Sequence, residues 1–410
     1  MLRALLSHRP LLLTILSRPQ VRLAAAYAGG GTAGGILLPF LPAWLDARGL
    51  SPEAIGFIIG AGALIRIVAG PLAGAAADAW GDRRQILAFL CAGATIAYLG
   101  LHLAPNFAAI FGAAFLASTF FFPTGAIMDA ITIRHAFLKG FDYGRVRLWA
   151  SVAFVAANLG GGWFVAVAGP GPVVLVVAAA LAWHTAAAFW LPPEGEGLRT
   201  AFAPALARTI KDAAPLVRTP VFILFVLAGA SIQATHAFYY AFGTLHFQAL
   251  GYGGEAIGGL WAFGVILEIM LFSQSRRVQA RFRPSTLIAL GGSAGIVRWA
   301  ILALDPALPL LVVAQGLHAL TFGATHLGAM YFLQAALPDR LAASGQSVYA
   351  ACAYGIFAAA VSWGAGPLFA AFGGRGYIAM SLICACGIVA ALALEARWNG
   401  RVIETRPGEA

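Results

Sequence analysis

The chain has little charge. Only 10% of its 410 residues are Asp, Glu, Lys or Arg, and just 16 are acidic. A soluble chain carries about a quarter charged residues; here 60% of the sequence is hydrophobic instead. A water-soluble fold could not hide that much apolar surface, so bilayer must be the solvent for most of it. Cysteine is scarce too: Cys91, Cys352, Cys384 and Cys386 all fall inside apolar runs. No loop pair is available for a disulfide. Cys384 and Cys386, two apart, point to different helix faces, which argues against a shared metal. All four read as small core residues. No phosphate-binding GxxxxGK followed by Ser or Thr occurs, and no HExxH. Energy must then come from a gradient and not from nucleotide hydrolysis, and neither cofactor nor metal is expected. The net charge of +10 does not point to nucleic acid, because the basic residues sit in short loops between apolar runs.

A membrane helix needs about 20 apolar residues at ~1.5 Å each to cross ~30 Å of hydrocarbon. Twelve runs qualify: 23–45, 54–77, 85–103, 106–133, 148–168, 172–191, 220–247, 254–275, 285–304, 307–336, 345–372 and 376–395. The expected fold is an all-α membrane protein of twelve spans in two pseudo-symmetric six-helix bundles. If the N-terminus is cytoplasmic, cytoplasmic segments hold 22 of the 26 basic residues, whereas the outer side holds Arg48 and Arg375. The positive-inside rule thus puts both termini in the cytoplasm. Segment 1–22 reads as a cytoplasmic lead-in, 23–191 as one bundle, 192–219 as a cytoplasmic linker, 220–395 as the second bundle and 396–410 as a tail. Trp44, Trp80 and Trp149, at span ends, read as interface anchors.

The loop after the second span, "GAAADAWGDRR", spaces Gly74, Asp78, Gly81, Arg83 and Arg84 as G-x-x-x-D-x-x-G-x-R-R. This resembles the signature loop of the major facilitator superfamily. The resemblance implies a gate in which Asp78, Arg83 and Arg84 lock the outward-facing state. The equivalent place in the second half, "SQSRRVQARFRP", lacks the Gly and Asp. The stretches "LPFLPAWLDARGLSPEAIGFI", "DYGRVRLWASVAF", "LWAFGVILEIMLF", "GIVRWAILA" and "QGLHALTFGATHLGAMYF" further resemble the phenylpropionate-permease branch, related to oligosaccharide– and nucleoside–proton symporters. That resemblance implies proton-coupled uptake across a bacterial inner membrane by a monomer. The solute would be a small organic molecule such as 3-phenylpropionate, with a sugar or nucleoside as the alternative.

Charged and polar residues inside the spans give candidate sites. Arg66, near the middle of its span, suits a substrate carboxylate, because a guanidinium can bind one bidentately; the alternative is hydrogen bonding to nearby backbone carbonyls. Glu268, Arg298 and His318 lie on three successive spans, at depths of about 21, 9 and 16 Å counted from the outer ends. An acid, a histidine and an arginine that can meet form a candidate proton-coupling set, and residues at matching places serve coupling in the oligosaccharide–proton symporters. Gln315 shares a helix face with His318 and is a candidate solute contact. His236, Tyr239 and Tyr240, with Tyr27, could stack on a solute. His326 reads as lining the cavity toward its inner mouth. Asp129 and Arg147 face each other across a hairpin, as a gate or as a helix-end ion pair. His102 and His184 read as bonded to local backbone. An intramembrane enzyme would need two catalytic groups at one depth, and Asp129 and Glu268 sit in different halves.

Overall fold

The computed structural model describes residues 18–193 and 214–403. The lead-in, most of the central linker and the end of the tail lie outside the described residues. The helices are α1 (Pro19–Ala47), α2 (Pro52–Trp80), α3 (Arg83–Leu103), α4 (Phe107–Phe121 and Thr124–Lys139), α5 (Tyr143–Ala168) and α6 (Val173–Trp190). The second half contains α7 (Pro220–Ala234 and His236–Ala249), α8 (Gly254–Ser273), α9 (Pro284–Ala303), α10 (Leu308–Gly316, Ala319–Ala324 and Thr325–Ala336), α11 (Asp339–Ala350, Ala351–Ile356 and Phe357–Phe372) and α12 (Tyr377–Arg397). There is no strand among the described residues. The apolar stretch Asp339–Arg397 has 59 residues, roughly 90 Å if straight. It folds back at the turn Gly373–Gly376 to give two spans. Twelve spans therefore cross, as expected.

Local chemistry sets the helix starts. Ser51, Asp82, Asn106 and Asp142 each accept a backbone N–H of the following first turn, so the chain re-enters the apolar layer with its first donors satisfied. Some helices run past their apolar windows. Helix α4 continues to Lys139 and α11 begins at Asp339, six residues before the expected span. Hydropathy marks the oil-soluble part of a helix and not its hydrogen-bonded ends.

Packing repeats with the sequence. Helix α1 packs on α5 and α6, and α3 on α6; correspondingly α7 packs on α11 and α12, and α9 on α12. The halves meet where α2 lies on α11, α5 on α8 and α1 on α7. Moving each label of the first of these pairs by six, α2 to α8 and α11 to α5, gives the second, which is the pseudo-two-fold of a duplicated bundle. The α5–α8 contact is backbone to backbone. A methyl group at Gly162 would strike the Gly254 carbonyl, and one at Gly258 would strike the Asn158 carbonyl. At the α2–α11 contact, Gly56 lies against the Ser362 carbonyl and Gly366 against Glu53. Both seams lie at the end of the bundle opposite Pro19 and Arg397. Outside the bundles, large apolar side chains such as Phe89, Ile96, Phe189 and Val389 face outward, the belt a bilayer covers.

Two expectations are corrected. Trp44 is no interface anchor: it is 1% exposed, and its indole donates to the Gly171 carbonyl at 3.0 Å, pinning the α5–α6 loop. Trp80 and Trp149 are exposed. Cys386 is not a core residue but faces outward, whereas Cys91 and Cys384 are buried and Cys352 half-buried. Small side chains suit the core and the lipid face equally, so composition could not separate them.

Candidate functional site

A cavity of about 430 Å³ lies between the halves. Its C-terminal wall carries a continuous hydrogen-bond chain. The Arg298 guanidinium donates to His318 Nδ1 at 3.1 Å, and His318 Nε2 lies 3.1 Å from a Glu268 carboxylate oxygen. Arginine has no acceptor atom, so Nδ1 must accept; a neutral ring then carries its proton on Nε2 and donates it to Glu268. Arg298 also donates to Thr321 Oγ1 at 3.0 Å and to Gln315 Oε1 at 3.3 Å, and Tyr239 donates to the same Gln315 oxygen at 3.1 Å. Arg298 is 0% exposed, lies over the Tyr239 and Trp299 rings, and has no carboxylate in direct contact among the described residues. Its hydrogen-bond chain reaches a carboxylate, Glu268, through the imidazole.

Residues Ala319–Ala324 form a π-turn directly after His318. Such turns are rare and shift the facing of the residues beyond them. The three side chains expected at depths up to about 12 Å apart meet ahead of that turn, where α10 packs on α8 and α9. Thr321, which sequence reasoning missed, occupies this turn. It accepts from Arg298 and donates to His236 Nε2 at 3.0 Å, because His236 Nδ1 faces the Gln233 carbonyl at 3.1 Å and must donate there. His236 is 1% exposed and stands behind the wall, lining neither large cavity. It orders Thr321 from behind.

The N-terminal wall carries a second cluster. Tyr27 donates to Asp129 at 2.5 Å, and the same carboxylate oxygen is 3.4 Å from Arg147 Nε. Tyr27 is thus committed to a carboxylate. Asp129 and Arg147 form the expected pair, and both line the cavity that Glu268 and His318 line from the other side. His326 stacks on Phe322, which stacks on His318, and sits 3.5 Å from the Tyr354 hydroxyl. It does not line the main cavity.

Arg66 lies in an adjoining chamber of about 410 Å³, bounded by Phe121, Phe122, Phe154, Tyr240 and Phe322. Its guanidinium is 3.4 Å above the Phe122 ring centroid, and its Nε is buried without a partner. A backbone-carbonyl partner, the alternative considered from sequence, is absent among the described residues. The chamber also takes in Tyr98, Gln233 and Tyr354. Tyr354 sits in a second π-turn, Ala351–Ile356 of α11.

In the signature loop, Arg83 pairs with Asp78 at 2.8 Å. Arg84 grips both oxygens of Asp82, at 3.0 and 2.7 Å, and donates to the Leu191 carbonyl at 3.0 Å, tying the loop to the end of α6. The Arg84 guanidinium holds the Asp82 carboxyl below the usual carboxylate range. These contacts all lie within the N-terminal half. Among the described residues no group of three or more His, Cys, Asp or Glu could hold a metal ion.

Twelve spans in two symmetric halves, with charged side chains on a cavity between them, define a secondary transporter of the major facilitator type. A model of the MFS_1 like family matches residues 31–378, and the chain belongs to that family. It is 31% identical over 364 residues to the probable 3-phenylpropionic acid transporter of Escherichia coli (strain K12), covering 85% of this chain and 91% of that protein. It is 28% identical to the maltose permease of Geobacillus stearothermophilus, covering 78% and 80% respectively. Among solved structures, a mutant of the nucleoside transporter NupG superposes with a TM-score of 0.80 at 16% identity, covering 92% of this chain and 99% of that one. Its relatives are transporters, not enzymes.

Proposed function

We propose that the chain is a proton-coupled symporter that takes up a small aromatic carboxylate by alternating access. The observation that carries this reading is the Arg298–His318–Glu268 chain on the wall of a cavity between the halves. Buried Arg298 calls for one negative charge nearby. With Glu268 ionised, that need is met through His318. A solute carboxylate held at Arg66, in the chamber adjoining this cavity, brings the negative charge instead and allows Glu268 to take a proton. Loaded and empty forms then carry the same net charge, so both can close, whereas a half-loaded form leaves a charge unmatched in a low dielectric.

The Arg66 chamber supports the solute class. Its unpaired guanidinium suits a carboxylate, and the phenylalanine rings around it suit an aromatic body. Gln315 and His318 reach the solute from the C-terminal wall. Residues 23–191 and 220–395 act as the rocking halves, joined by 192–219. With both termini in the cytoplasm of a bacterial inner membrane, the glycine seams close the outer side, and Asp78, Arg83, Arg84, Asp129 and Arg147 work at the inner gate. The protein acts as a monomer.

A sugar or nucleoside is the second reading, supported by the names of the maltose and nucleoside relatives. Uptake of labelled aromatic acids, maltose and uridine into vesicles, with and without a pH gradient, separates the two. Aromatic-acid uptake driven by inward-directed protons is expected. Uptake indifferent to pH and driven by sodium overturns the coupling; concentrative uptake of uridine or maltose alone overturns the solute class.

A further inference from the structure

His184 belongs to α6, which packs against α1 and α3 and so stands in the outer layer of its bundle. Yet His184 lines the central cavity. It reaches there because α1 has no side chains in the way: at 29–31 the sequence reads Gly-Gly-Gly. A Cβ on Gly30 would lie 3.0 Å from Cε1 of the His184 ring and 3.2 Å from its Nδ1. A Cβ on Gly29 would lie 2.9 Å from the His184 Cα. Gly30 opens a window in the wall, which the imidazole fills; Gly29 and Gly31 flank it and let α6 and α5 approach α1 closely.

The ring is 3% exposed, and both of its nitrogens are buried without a hydrogen-bond partner. The sequence suggested that His184 bonds to local backbone; it does not. Leaving two polar atoms unpaired is unfavourable, and a phenyl ring would fill the same space without that penalty. No carboxylate contacts the ring among the described residues, so a neutral imidazole is the favoured form. A neutral imidazole offers one N–H and one lone pair. A solute hydroxyl can answer either nitrogen, accepting from the N–H or donating to the lone pair, whichever faces the cavity.

We propose that His184 is a solute-contacting residue that recognises a hydroxyl group through the Gly30 window. This rests on the transport reading and deepens it. The anionic end of the solute meets an arginine, and a hydroxyl elsewhere on the molecule meets His184. The hydroxyl could sit on a ring of an aromatic acid or on a ribose.

Two measurements test this. The first needs no knowledge of the solute. His184→Cys is placed in a chain whose four native cysteines are alanine and exposed in vesicles to a small water-soluble methanethiosulfonate. Labelling is expected, and adding Gly30→Leu should slow it at least tenfold by closing the window. Absence of labelling in the Gly30 chain, with the protein still monodisperse after extraction, overturns the proposal. The second measures inhibition of uptake by phenylpropionate, its para-hydroxyphenyl analogue and uridine, in wild type and His184→Phe. The hydroxylated compounds should lose about tenfold in potency relative to phenylpropionate, one neutral hydrogen bond. Loss for the hydroxyphenyl acid identifies an aromatic source, and loss for uridine a nucleoside source. An unchanged potency ratio refutes recognition by His184. If no aromatic acid is taken up, the solute class fails, and the labelling result still decides whether His184 faces the cavity.

Discussion

Replacing Glu268 with glutamine removes one negative charge and little else. The amide oxygen can still accept from His318 Nε2, so the chain from Arg298 survives in outline. Its energy changes by the lost charge. Two contacts of 3.1 Å on either side of one imidazole put the carboxylate and guanidinium roughly 8 Å apart, which at an effective dielectric of about 20 is worth ~2 kcal/mol. Glu268→Gln should therefore lose at most about 2 kcal/mol of stability and remain folded. Transport should change far more. A pH difference of one unit is worth about 1.4 kcal/mol per proton and sustains about tenfold accumulation at one proton per solute. In proteoliposomes with that gradient, wild type should concentrate the solute about tenfold, and Glu268→Gln should not rise above equal concentrations on the two sides. The variant should still exchange labelled for unlabelled solute, because exchange needs no change in protonation. Accumulation by Glu268→Gln above the level reached without a gradient would refute the charge-swap scheme.

Arg66→Ala should raise KM for an aromatic acid about tenfold or more by removing a charged hydrogen-bond donor, with Arg66→Lys recovering only part; uptake kinetics decide it. Gly162→Leu should force α5 and α8 apart and shift the protein toward its outward-open form, read as faster labelling of Gln315→Cys from the outer side; unchanged labelling would show that the seam is no gate. The Asp82 carboxyl lies below its usual range. Its contribution to stability is thus present above the unfolded value of about 3.9 and is lost as pH falls through the lower folded one. Asp82→Asn should remove that acid-side loss, an effect within about 1 kcal/mol, measurable by thermal melts between neutral and acid pH.

The sequence alone determined the solvent, the number of crossings and the family. Each of these follows from composition and order along the chain: twelve runs long enough for hydrocarbon, basic residues gathered in alternate loops, and a loop motif at the right place. It also supplied the charged members of the polar clusters, though not Thr321, since an ionised residue inside a span is rare and conspicuous. Which of them meet was left to the tertiary structure. Tyr27 and Asp129 are 102 residues apart and bond to each other, so the tyrosine expected to stack on solute is held by a carboxylate. His236, expected in the cavity, stands behind Thr321. His184 reaches the cavity because α1 carries no side chain at Gly30. Facing on a helix turns by about 100° per residue, and one π-turn, like the one after His318, shifts everything beyond it. A linear pattern counts residues well but carries such shifts forward as error; packing of the halves fixes the rotation and depth of each helix, and so chooses the contacts.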